Sequence, residues 1–225
     1  MRVLAFDLSS VCVGVVACEL DDVTKNPVRV VSCPIIPDKF NPEKLGYKKN
    51  KAKIKTKNGE FINSYIRNGE VEITKQEKKK RDVEVRKYSN LHSLSYISKQ
   101  IEAIIKNIKP NLVLVEKNKI FNGILTSVLL GKVMGVLVGL TTGKGIELRE
   151  YEVATVRKDI DTVKCIRELV SGLSEEEINK IPDVTKRALR IYMESKYGEY
   201  GLKCSTDDES DACVVFNYWF EKEYK

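Results

Sequence analysis

Three short apolar stretches open the chain, residues 2–8 (RVLAFDL), 12–19 and 28–36, each with the length and side-chain type of a β-strand. The polar links between them, Ser9-Ser10 and Asp21-Asp22 to Pro27, are short enough to favour antiparallel hairpins. Apolar positions then recur at helical spacing over 91–108 and stop before Pro110, as a helix should. A continuous apolar run from Leu112 to Glu116 follows, then an almost wholly apolar segment from Gly123 to Leu140, then a strand from Ile146 to Tyr151. Strand, helix, strand in that order predicts parallel strands covered by helices. The last third reads as helices near 162–172, 174–180, 184–197 and 209–222, with Ser174 and Glu177 in capping-box positions. The pattern predicts a single α/β domain over 1–225, its mixed sheet made of three antiparallel strands followed by parallel ones and flanked by helices.

Between Asp38 and about Lys87 the pattern breaks. Large apolar residues become rare, and two Asn-Gly pairs, Asn58-Gly59 and Asn68-Gly69, mark tight turns. We expect a partly flexible basic insertion over about 38–88 that carries one β-hairpin. Charge sharpens this. The chain totals +7, yet residues 39–88 alone hold 16 Lys and Arg against 7 Asp and Glu, so its basic character is local. Such a segment is either a solvated surface or a phosphate-binding one. Tyr47, Phe61 and Tyr65, interleaved with the lysines, favour nucleic acid, since aromatic faces stack on unpaired bases while ammonium groups neutralise phosphate.

The Gly123–Leu140 segment just reaches spanning length, but Lys132 stands in its middle, at a cost of at least ~2.5 kcal/mol in a bilayer centre. We read it as a buried helix. Gly131, Gly135 and Gly139 recur every four residues along one face, which suits close packing against the sheet or a partner subunit. Cysteines 12, 18, 33, 165, 204 and 213 show no C-x-x-C spacing and read as reduced thiols. Asp7 interrupts any N-terminal signal pattern. These readings point to a cytoplasmic protein.

The candidate chemistry is acidic. Asp7 closes the first strand and Glu116 a later one, while Asp207, Asp208 and Asp211 open the final helix. Asp208 and Asp211, three apart, share a helix face, as do Asp207 and Asp211, four apart, so spacing leaves both pairs open. Acids at a helix start also serve as caps. Two carboxylates about 4 Å apart repel by ~4 kcal/mol at an effective dielectric of 20, so a converging set demands protons or cations. All-oxygen ligands select Mg²⁺, with Mn²⁺ able to substitute, over zinc, and His92 is the sole histidine. Two such ions can activate water and stabilise a leaving 3′ oxygen in phosphodiester hydrolysis.

Three motifs in this order resemble a known family. FDLSSVCVG, from Phe6 to Gly14, resembles the first-strand motif of the RuvC-like Holliday junction resolvases of the RNase H-like superfamily. LVLVEKNKIF, which holds Glu116 and runs into a long apolar helix, resembles their second-acid strand. DESDA, which holds Asp208 and Asp211, resembles their final D-x-x-D-A helix. The resemblance covers most of the element order, except the basic insertion and a helical one at about 159–181, and suggests a phage-type member acting in host cytoplasm. It implies an RNase H-like fold and Asp7, Glu116, Asp208 and Asp211 as catalytic metal ligands. It further implies a homodimer built on the apolar helix, branched DNA as substrate, and paired nicks. Arg157 and Lys186 stand where the family places phosphate-contacting basic residues, and Phe121 is nearest to the position of its junction wedge. Lys48, Lys49, Lys51, Lys53 and Lys55 would add DNA contacts from the insertion.

Two other classes compete. Sugar kinases and related ATPases open with a similar hairpin, but the only Gly-rich loop here, residues 141–145, follows a helix, so the phosphate-loop reading fails on context and no nucleotide cofactor is expected. A non-catalytic branched-DNA-binding protein with structural acids is the other alternative.

Overall fold

The computed structural model describes residues 1–9, 11–49, 54–55, 61–62, 65–67, 70–71, 75–117, 124–158 and 160–225. In chain order the strands and helices are β1 (Arg2–Asp7), β2 (Val13–Leu20), β3 (Pro27–Ile35), β4 (Lys48–Lys49), β5 (Ile54–Lys55), β6 (Phe61–Ile62), β7 (Tyr65–Arg67), β8 (Glu70–Val71), α1 (Lys75–Ile108), β9 (Leu112–Glu116), α2 (Ile124–Thr142), β10 (Glu147–Tyr151), α3 (Val153–Arg157), α4 (Thr162–Val170), α5 (Glu175–Asn179), α6 (Val184–Tyr197) and α7 (Asp207–Trp219). They fall into two compact units, Met1–Ile36 with Tyr96–Lys225, and Pro37–Ser95.

The larger unit is built on a five-stranded sheet of order β10-β9-β1-β2-β3. β1 pairs antiparallel with β2 and β2 with β3, while β1, β9 and β10 run parallel. This is the mixed order, antiparallel strands followed by parallel ones, that the pattern predicted. Val3, Leu4, Ala5 and Phe6 on β1 and Leu112 to Val115 on β9 are all buried, so both faces of these central strands are covered, which is why they read as continuous apolar runs without alternation. α7 packs on β1, β2 and β9, and nearly all of it is buried, from Glu209 through Asn217 and again at Trp219. Phe216 stacks on Phe220 and meets Tyr197 edge-on, tying α7 to α6. A five-residue π-helical turn, Phe220–Tyr224, continues α7.

In the smaller unit β4, β7 and β8 form one sheet and β5 pairs with β6. β7 and β8 are the expected hairpin, with Ile66 opposite Val71 and Arg67 opposite Glu70; both Asn-Gly pairs lie outside the described residues. Two expectations need correction. α1 starts at Lys75, 16 residues before the helix read from periodicity, because Lys, Gln, Glu and Arg carry good helix propensity without supplying an apolar stripe. Tyr47 is no stacking platform: it is buried, and its hydroxyl donates to Glu84 at 2.7 Å.

α2 is buried along one face only. Leu129, Leu130, Val133 and Leu137 face inward, while Val128, Val138 and all three helix glycines are exposed. Among the described residues no helix is long and apolar enough to cross a membrane. The six cysteines are all free thiols.

Candidate active site

The parallel register places Phe6 beside Val115, so the next residues, Asp7 and Glu116, close neighbouring strands at one end of the sheet. β2 returns with Gly14 opposite Asp7. The first turn of α7 lies directly on that glycine: a Cβ there would collide with the carbonyl group of Asp208 and the nitrogen of Glu209. Gly14 is therefore the position at which the sheet admits a helix backbone, and this close approach brings the third and fourth acids to the first.

Neither Asp207 nor Asp208 caps α7. Thr206 is the N-cap, its Oγ1 accepting from the Glu209 nitrogen at 3.3 Å, and the Glu209 carboxylate accepts in return from the Thr206 nitrogen at 2.7 Å. Glu209 also accepts from Ser205 and, through its other oxygen, from Ser32 on β3 at 2.8 Å. With these groups satisfied by a capping box, the aspartates are left for other work. The T-x-x-E spacing that announces this box is present in the sequence, at 206–209.

The four acids feel one another. Burial first, then the negative charges of Asp211, Glu116 and Asp208, push the Asp7 carboxyl up to about 8, against a smaller opposing pull from Lys186. Asp208 acts on both Asp7 and Asp211, and Asp207 acts on Asp211. Cys12, in the turn after β1, is pushed up to about 12 by burial and by a hydrogen bond with Asp208. Asp211 is 5% exposed and carries two cations: Arg157 Nη2 lies 2.8 Å from Oδ1 and Lys186 Nζ 3.8 Å from Oδ2. Burial outweighs both, and the carboxyl remains above its ordinary range. Arg157 ends α3 and Lys186 lies in the first turn of α6, whose N-cap Asp183 accepts from the Lys186 nitrogen at 3.0 Å. Both basic residues thus reach the acid cluster, but their partner here is Asp211. That ion pair was not foreseen, because nothing in sequence spacing links residues 157, 186 and 211.

Lys48 and Lys49 are exposed on β4, in the smaller unit. Lys55 lies on β5, while Lys51, Lys53 and Phe121 fall outside the described residues.

A divalent cation suits this donor set in chemistry and charge: the ligands are oxygens, and the cation would relieve the repulsion that Asp7 registers. The acids do not form a ready cage, since among the described residues no group of three His, Cys, Asp or Glu stands close enough to hold an ion. Binding would require the carboxylates to draw inward, and Asp211 to loosen from Arg157.

No family model matches the chain. A crossover junction endodeoxyribonuclease, RuvC, of Rickettsia bellii (strain OSU 85-389) is 30% identical over 69 residues, 31% of this chain and 44% of that protein. The match therefore spans under half the length of this relative. Among solved structures, Thermus thermophilus RuvC in complex with Holliday junction substrate gives a TM-score of 0.46 at 10% identity, covering 100% of this chain and 98% of that one. The yeast mitochondrial Holliday junction resolvase gives 0.44 at 12% identity, covering 97% and 77%. In sequence the chain is thus similar to RuvC over 31% of its own length.

Proposed function

We propose that this chain is a Mg²⁺-dependent endonuclease that cuts branched DNA, four-way junctions first, by paired symmetric nicks. What supports this reading is that Asp7 and Glu116 close neighbouring strands, while the first turn of α7, which carries Asp208, rests on Gly14 opposite Asp7. Under this reading these acids are the metal ligands, and Mn²⁺ substitutes for Mg²⁺. Bound there, two such ions would activate a water and stabilise the leaving 3′ oxygen. The chain's own residues have separate tasks. The strand ends fix Asp7 and Glu116, the capping box fixes the pitch of α7, and Arg157 and Lys186 move from Asp211 to the oxygens of the scissile phosphate.

The exposed face of α2 is the proposed two-fold contact. Val128 and Val138 are exposed there, and among the described residues a Cβ at Gly131, Gly135 or Gly139 would meet nothing within 4 Å. A second copy can approach such a face closely, and a dimer would present one acid cluster to each of two strands.

One observation favours a second reading, a branched-DNA-binding protein without catalysis: Asp211 is already neutralised by Arg157 and Lys186. A 5′-labelled synthetic four-way junction, incubated with the protein and Mg²⁺, separates the two. Symmetric nicks that vanish in Asp7→Asn and Glu116→Gln, with junction binding retained, support the nuclease. A retarded but uncut junction supports the binding protein, and normal cutting by either variant removes the assigned acids.

A further inference from the structure

We propose that the exposed face of the first half of α1 is a second nucleic-acid contact, which grips the phosphate backbone with residues other than the candidate acids. Gln76, Lys79, Lys80, Val83 and Lys87 line a groove of about 690 Å³ together with Glu84 and Tyr88. The spacing from 76 to 80, 83 and 87 is that of one helix face. The three lysines are exposed, and none forms an ion pair with an acid among the described residues. Among the acids nearby, Glu84 accepts from Tyr47, and Asp82 accepts from Arg81 at 2.7 and 3.1 Å. Between residues 75 and 88 the helix holds seven Lys and Arg against Glu77, Asp82 and Glu84, an excess of positive charge that runs over two turns, about 10 Å, from Lys80 to Lys87.

A polyanion of regular spacing fits this face better than a folded acidic protein does. The open face sets Lys79, Lys80 and Lys87 against a single acid, Glu84, so its charge complements a polyanion. At its far end Tyr88 is 42% exposed and lies parallel to Phe40, with ring centroids 6.4 Å apart. An aromatic ring beside a lysine row is the combination that holds single-stranded or unpaired nucleic acid without reading its sequence. The chemistry assigned is therefore phosphate contact by Lys79, Lys80 and Lys87, with Tyr88 offering its ring to an unpaired base.

The proposal rests on the branched-DNA reading, and the test keeps the two apart. Full-length wild type and a Lys79→Gln, Lys80→Gln, Lys87→Gln variant, in which glutamine preserves helix propensity, are titrated onto a fluorescent four-way junction in EDTA between 50 and 200 mM KCl. Each lysine that neutralises a phosphate adds about 0.9 to the slope of log affinity against log salt. The variant's slope should fall by about 2.7, so that wild type loses about 40-fold more affinity across the range. Cleavage at saturating junction and Mg²⁺ should be unchanged, since the lysines are not part of the acid cluster. An unchanged slope with intact wild-type binding overturns this contact alone. Wild type that neither binds nor cuts the junction overturns the function on which it rests. Binding of poly-glutamate that is lost in the variant while junction affinity stays the same overturns the nucleic-acid assignment in favour of an acidic protein partner.

Discussion

Gly14 and Asp7 face each other across the first hairpin, and each bears a burden the other explains. Gly14 gives up side-chain packing so that the backbone of Asp208 can rest on β2; Asp7 carries a charge into a place where burial and three other acids oppose it. Gly14→Ala should therefore push the start of α7 away, lowering the thermal midpoint by an amount equivalent to ~2 kcal/mol and reducing any metal-dependent activity by more than the loss of stability explains. Unaltered activity would separate the helix start from the chemistry. Asp7→Asn should act in the opposite sense on stability. Because folding raises the Asp7 pKa, the carboxyl stabilises the fold least above about pH 8 and most below about 4, and an amide removes the penalty. In EDTA at pH 8 the variant should melt higher than wild type by an amount equivalent to ~2 kcal/mol, with little difference near pH 4. A variant that melts lower at pH 8 would mean the Asp7 charge is already compensated.

At the scale of elements, the helices that mattered were legible in unequal measure. α7 could be placed because its acids and apolar residues share one short run, and its T-x-x-E box is visible in sequence. The first half of α1 could not, because a solvated helix has no apolar period to reveal it. α3, five residues long, is below the length at which periodicity means anything. Glu209 illustrates what spacing alone hides: its link to Ser32 crosses from helix to sheet over 177 residues. Glu209→Ala should cost ~1 kcal/mol or more, since it strips the cap and leaves buried donors unsatisfied. Gly135 supplies a contrasting prediction. Among the described residues a Cβ there meets nothing within 4 Å, so Gly135→Ala in an isolated monomer should stabilise by ~0.9 kcal/mol through helix propensity. If α2 is the dimer contact, the same change instead weakens self-association in sedimentation velocity, and equal sedimentation with a raised melting point would move the contact elsewhere.

For the molecule as a whole, the order of strands was readable because the central sheet is buried on both faces and its connections are short or helical. The candidate site was readable only in part. Strand ends and helix starts locate acids, but the ion pairs of Arg157 and Lys186 with Asp211 arise from tertiary packing of α3 and α6 beside α7. Those pairs also bear on the central claim, because the carboxylate they hold is one the proposed cations need. A crystal of the protein soaked with Mn²⁺ tests that claim most directly. Anomalous density is expected in contact with Asp7, Glu116 and at least one of Asp208 and Asp211, with Arg157 displaced from Asp211. Density absent from that edge of the sheet, with the Arg157–Asp211 pair intact in saturating Mn²⁺, would contradict it.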